Sequence, residues 1–198
     1  MRKKIVVPVV CVAVIAAAIG GFFYWRENIR LTPVEEWNMA KYSEPSDFTV
    51  TETAEQKIIE DKSAGLMFAV PKDWIATTTP SIFKIDSPKS KERNSIIMDS
   101  GCRIIAEIPK IHTNIETLEA EQKIGMWGKH ILQQDKITVN NKNALSCIAM
   151  SEKLNFYIYI VSIPYHKKIY SMTLITTPED KDMCSQNFQG ILNTIKIQ

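Results

Sequence analysis

An uncharged run from Ile5 to Trp25 constrains this chain more than any other feature. Its 21 residues match the length a helix needs to cross a hydrocarbon core of about 30 Å at about 1.5 Å per residue. A charged side chain at the centre of such a helix costs about 2.5–3.5 kcal/mol, and the run has none. Arg2, Lys3 and Lys4 lie before it, while Arg26 and Arg30 after it are diluted by Glu27. Positive charge is retained on the cytoplasmic side, so the N-terminus is expected inside and the rest of the chain outside. Ala16-Ala17-Ala18 offers a rival, a cleavable signal peptide. Against it, the apolar run continues through Ile19 to Phe22, Phe23, Tyr24 and Trp25, an aromatic belt of the kind that ends a spanning helix. Residues 1–30 are therefore expected to be an uncleaved, single-pass anchor in the cell membrane, with the bilayer as the partner of Ile5 to Trp25. Ala13, Ala17 and Gly21 share one face of it, a spacing that permits close helix approach.

Charge narrows the function classes. Of 24 basic and 22 acidic residues, five and one fall in the first 30, leaving 19 and 21 beyond Arg30. A portion with net charge about −2 lacks the basic surface that nucleic acid requires, and its total gives no support to binding anionic lipid. Outside the anchor, which holds Cys11, the cysteines are Cys102, Cys147 and Cys184, an odd number with no CxxC pair. Either all three are buried thiols or two form one bridge, and spacing does not choose the pair. His112, His130 and His166 are scattered, without the clustered spacing of a zinc site.

Along the chain, Thr32-Pro33-Val34-Glu35 has the cap, proline and glutamate of a helix start, so 31–55 is expected to be a short juxtamembrane helix followed by a polar linker over 43–55. The folded domain is expected over 56–198. Strands at 57–61 and 66–70 flank a Lys-Ser-Ala-Gly turn, and Pro71-Lys72-Asp73-Trp74 ends the second with Trp74 in the core. The stretch 77–95, with two prolines and four basic residues, is expected to be a long exposed loop with at most a short strand at 82–85. One or two strands fill 96–108, with a bulge at Gly101. Thr113-Asn114-Ile115-Glu116 is a capping box, and Leu118, Ile124, Trp127, Ile131 and Leu132 trace a helical stripe ending near Gln134. Strands at 136–139, 144–150, 156–163 and 169–176 follow directly on one another and should pair antiparallel. Thr177 as cap and Pro178 as first residue begin a last helix, with Met183, Phe188, Ile191, Leu192 and Ile195 facing inward.

Gly65-Leu66-Met67-Phe68-Ala69-Val70-Pro71-Lys72-Asp73-Trp74 resembles the "G-f-x-f-x-x-P-x-x-W" opening of the PsbP/Mog1-like fold. Tyr157-Ile158-Tyr159, Ile169 to Leu174 and Phe188 to Ile195 are similar to its closing hairpin and helix. The resemblance implies an α+β domain, an antiparallel sheet flanked by helices as an α/β/α sandwich, used for binding rather than catalysis. It supplies no catalytic residues to carry over. No G-x-S-x-G elbow is present, Glu119 and Glu121 point to different helix faces, and Cys147 sits mid-strand. No catalytic, cofactor-binding or metal site is expected. The expected function is a membrane-tethered extracytoplasmic accessory domain with an envelope protein partner; the alternative is a hydrolase-like envelope enzyme whose site leaves no mark in the sequence.

Overall fold

The computed structural model describes residues 43–79, 82–94, 97–108, 130–166 and 168–198, with Ile19, Gly21 and Glu119. Four adjacent strands dominate: β9 (His130–Val139), β10 (Lys142–Ser151), β11 (Phe156–Tyr165) and β12 (Lys168–Thr176). Their order follows from turn chemistry. Asn140 and Asn141 take φ of 46° and 61°, the left-handed pair that closes a two-residue hairpin, and His166 takes 47° in the next one. β8 (Arg103–Glu107) adds to β12, followed by β5 (Phe83–Asp86) and β4 (Ile75–Thr78), giving a seven-stranded sheet in the order β4-β5-β8-β12-β11-β10-β9. A second sheet has the order β1-β2-β3-β13, from Phe48–Glu52, Gln56–Asp61, Leu66–Pro71 and Lys196–Ile197. A two-stranded ribbon joins β6 (Lys91–Glu92) to β7 (Met98–Ser100). Every pairing among the described strands is antiparallel, as expected for strands that follow one another closely.

Alternation along β11 separates two apolar layers. Tyr157, Tyr159, Val161 and Ile163 join one core with Phe68, Trp74, Leu174 and the helix α1 (Lys181–Leu192). Phe156 and Ile158 join the other with Ile105, Cys147, Ala149 and Ile175. Trp74 is 3% exposed, as the sequence predicts; Trp127 lies outside the described residues. The expected α+β class and antiparallel meander are present.

Several boundaries differ. Residues 48–52 are not linker but β1, in register with β2 from Phe48↔Asp61 to Glu52↔Lys57. Only Phe48 of that strand is buried, stacked at 4.5 Å on Phe83, so flanking Ser, Pro and Glu hid a strand held by one aromatic pair. The stretch 77–95 is not one loop. β4 and β5 form a hairpin because β8 accepts β5 and buries Phe83 and Ile85, a tertiary contact that local propensity cannot report.

His130, Ile131 and Leu132 begin strand β9 rather than ending a helix. A bulge leaves Leu132 unopposed between Gln133↔Ile148 and Ile131↔Ala149, and the adjacent apolar pair it creates imitates helical spacing. α1 begins at Lys181 rather than Pro178, and its first turns bury Cys184 while Met183 stays 52% exposed. β13 lies beyond the expected helix; Gln198 N–H donates to the Gly65 carbonyl at 3.0 Å and seats it beside β3.

Among the described residues no helix is long and apolar enough to cross a membrane. Apart from Ile19 and Gly21, which are helical, the run from Ile5 to Trp25 lies outside them, as do the juxtamembrane helix and most of the helix expected over 113–134; Glu119 of the latter is helical.

Replacing Phe48 with Ala should destabilise the domain by roughly 3–5 kcal/mol, the usual cost of deleting a buried phenyl group. A denaturant melt reads this; a change below about 1 kcal/mol would return 48–52 to the status of linker.

Candidate functional site

Three places gather polar chemistry. The first lies where the chain passes from the ribbon into the large sheet. Gly101 takes φ +82°, and a Cβ there would stand 2.9 Å from the Ser90 Cα, so only glycine fits. Cys102 follows and is joined to Cys184 of α1 by a disulfide, with both residues fully buried. Hydrogen bonds lock the same junction: Gly101 N–H donates to Asp180 Oδ2 at 2.7 Å and Thr176 Oγ1 to the Gly101 carbonyl at 2.7 Å. Ser87 and Cys102 exchange two more, at 2.8 and 2.9 Å. Cys147, the third thiol, is buried and free, and burial pushes its pKa up, which leaves it protonated and unreactive.

Next to this junction, Arg103 is 1% exposed with its guanidinium forked onto Asp86, Nε to Oδ1 at 2.7 Å and Nη2 to Oδ2 at 2.9 Å. Glu92 closes the cluster, accepting from Arg103 Nη2 and from Lys84 Nζ at 2.7 Å. Two cations face two carboxylates, so the buried charge is compensated within the fold. Lys84, then Arg103, hold the Glu92 carboxyl at about 2 against its ordinary 4.5.

The second place is the β2–β3 turn. Asp61 is fully buried; Oδ1 accepts from Ser63 Oγ at 2.7 Å and Ala64 N–H at 3.0 Å, while Oδ2 has no hydrogen-bond partner. Tyr170 donates to the Ala64 carbonyl at 2.7 Å, and burial followed by the Asp61 charge raises its phenol. The third is the seam between α1 and β11, where Gln189 Nε2 donates to Tyr159 Oη at 2.6 Å and Tyr157 shares a 3.3 Å contact with Ser185.

The histidines do not converge. His130 opens β9 opposite Met150, whereas His166 sits in the β11–β12 turn at the other end of the sheet; His112 lies outside the described residues. Among the described residues no three His, Cys, Asp or Glu side chains are grouped to hold a metal ion. The Cys102–Cys184 pairing is the feature that sequence spacing left open, since a separation of 82 positions says nothing of which strand lies beside the helix.

The turns at the His166 end do meet. Lys168 Nζ reaches the Ser63 carbonyl at 3.5 Å, and Lys142 Nζ lies 3.8 Å over the Tyr165 ring, which packs edge-on against His166 at 4.0 Å. The β2–β3, β9–β10 and β11–β12 turns thus form one continuous surface.

No protein-family description and no curated protein matches the chain. Solved structures do. The cyanobacterial PsbP (CyanoP) of Synechocystis superposes with a TM-score of 0.53 at 12% identity, over 75% of this chain and 95% of that one. LpqN of Mycobacterium tuberculosis, described as involved in cell envelope biogenesis, gives 0.51 at 10% identity, over 86% and 99%. The chain has a PsbP/Mog1-like fold, and at these identities the likeness extends to the fold alone.

Because the folded Glu92 carboxyl titrates below its ordinary range, its contribution to stability is whole above about pH 4.5 and is lost as pH falls toward about 2. Glu92→Gln should flatten that part of the stability profile between pH 5 and 2; an unchanged profile would remove Glu92 from the cluster.

Proposed function

We propose that this protein is a membrane-tethered, extracytoplasmic accessory domain that binds an envelope partner and carries out no catalysis. The observation that carries the location is the Cys102–Cys184 disulfide, since such bonds persist in oxidising compartments and are rare where thiols are kept reduced. The uncharged run from Ile5 to Trp25 supports a tether, and its flanking charge supports a domain held outside. The envelope role of LpqN, a protein of the same fold, agrees with that compartment. The non-catalytic half of the reading is supported by the described polar groups: the Arg103 ions neutralise one another, and His130 and His166 stand at opposite ends of the sheet. A tether raises local concentration at the membrane, so a modest binding face suffices there.

The test is thiol counting on carbonate-washed membranes. The protein should remain in the pellet and, once unfolded in SDS so that the buried Cys147 is exposed, accept two maleimide mass tags without reductant, on Cys11 and Cys147, and four after reduction. Release by carbonate would remove the tether, and four tags before reduction would remove the oxidising compartment.

A further inference from the structure

Summed charge hides a cluster of lysines that the fold creates. The three turns that meet at the Lys168 end carry Lys62, Lys142, His166 and Lys168, and Lys167 lies between the last two in sequence. The one acidic residue in these turns, Asp61, is fully buried and engaged by Ser63 and Ala64. Tyr165 stands half-buried among them under the Lys142 ammonium. The opposite end carries Asp73, Asp99, Glu179, Asp180 and Asp182 against Lys72, Lys153, Lys181 and the Asp99-paired Arg93.

The chain also enters the domain at the basic end. Ser43 N–H donates to the Ile108 carbonyl at 3.3 Å, beyond the last residue of β8, where Glu107 faces Ser171 near the start of β12. Phe48 opens β1 opposite Asp61, at the foot of the β2–β3 turn. Only 17 residues, 26–42, separate this point from the apolar run. Fully extended they span at most about 60 Å.

We infer that the turn surface of Lys62, Lys142, Tyr165, His166 and Lys168 faces the bilayer and docks on anionic lipid headgroups, holding the domain in a fixed orientation with the opposite end outward. The inference rests on the tether proposed above. Lysines at a charged membrane surface act additively and over a short range, within a Debye length of about 8 Å at physiological salt. Tyr165 has the amphipathic ring that favours the headgroup layer. Glu44, Asp47 and Glu107 lie on the side where the chain enters, and the Glu44 N–H holds Asp47 at 2.8 Å. The lysines of the three turns suit phosphate headgroups, and their position at the tethered end brings them to that layer.

The experiment places the full chain in nanodiscs of phosphatidylcholine alone or with phosphatidylglycerol and follows amide hydrogen exchange. Anionic discs should slow exchange in the three turns by at least about threefold relative to neutral discs and leave the opposite end unchanged. High salt should abolish the difference. Lys62→Gln, Lys142→Gln and Lys168→Gln combined should abolish it too, while the corresponding arginine variant keeps it; equal melting temperatures of the two variants show that folding is not at issue. Equal exchange in both discs overturns the docking, as does protection by soluble polyphosphate but not by anionic discs. A chain that fails to stay in either disc instead overturns the tether.

Discussion

The Cys102–Cys184 bond is the constraint on which the rest of the molecule depends. It sits where the chain leaves the β6–β7 ribbon and enters the large sheet, and it fixes that corner to α1. Gly101, Asp180 and Thr176 close around it with hydrogen bonds, so strand junction, helix start and the end of β12 move as one piece. With the corner fixed, Arg103 is directed into the pair Asp86 and Glu92, and β5 is carried onto the edge of β8. α1 then lies across the sheet against Tyr157 and Tyr159, and Thr194, just past it, bonds the Ala69 backbone of the second sheet. A small domain with one described helix over this face gains rigidity from a cross-link that weak surface ion pairs would not supply.

Two kinds of information were legible in the sequence. The β10–β12 meander was, because β-branched and aromatic residues alternate between turns whose Asn140, Asn141 and His166 positions accept left-handed backbone. Trp74 was, because a proline turn places it at the end of a strand with an apolar face. What escaped depends on distant partners. β1 is a strand because Phe83 waits for Phe48, β4 and β5 pair because β8 offers an edge, and β13 exists because the β2–β3 turn exposes a backbone carbonyl at Gly65. The bulge at Leu132 shows the opposite failure, a local irregularity that gave a strand the spacing of a helix.

The functional surfaces follow the same division. Buried polar groups near Arg103 and Asp61 are recognisable only in three dimensions, since Asp86, Glu92 and Arg103 come from three strands. A net charge of about −2 beyond Arg30 gives no support to binding anionic lipid. The antiparallel topology collects Lys142 and Lys168 at one end, because alternate turns of successive hairpins emerge on the same side, and the second sheet brings Lys62 beside them where Lys168 meets the Ser63 carbonyl.

The most direct test of the central claim is the unfolding free energy of the full chain in detergent with the Cys102–Cys184 bond intact and after both cysteines are changed to Ala. Closing a loop of 82 residues is worth roughly 4–5 kcal/mol in chain entropy, so the double variant should lose about that much. A loss below about 1 kcal/mol, with the oxidised protein otherwise intact, would contradict the claim that this corner holds the fold together.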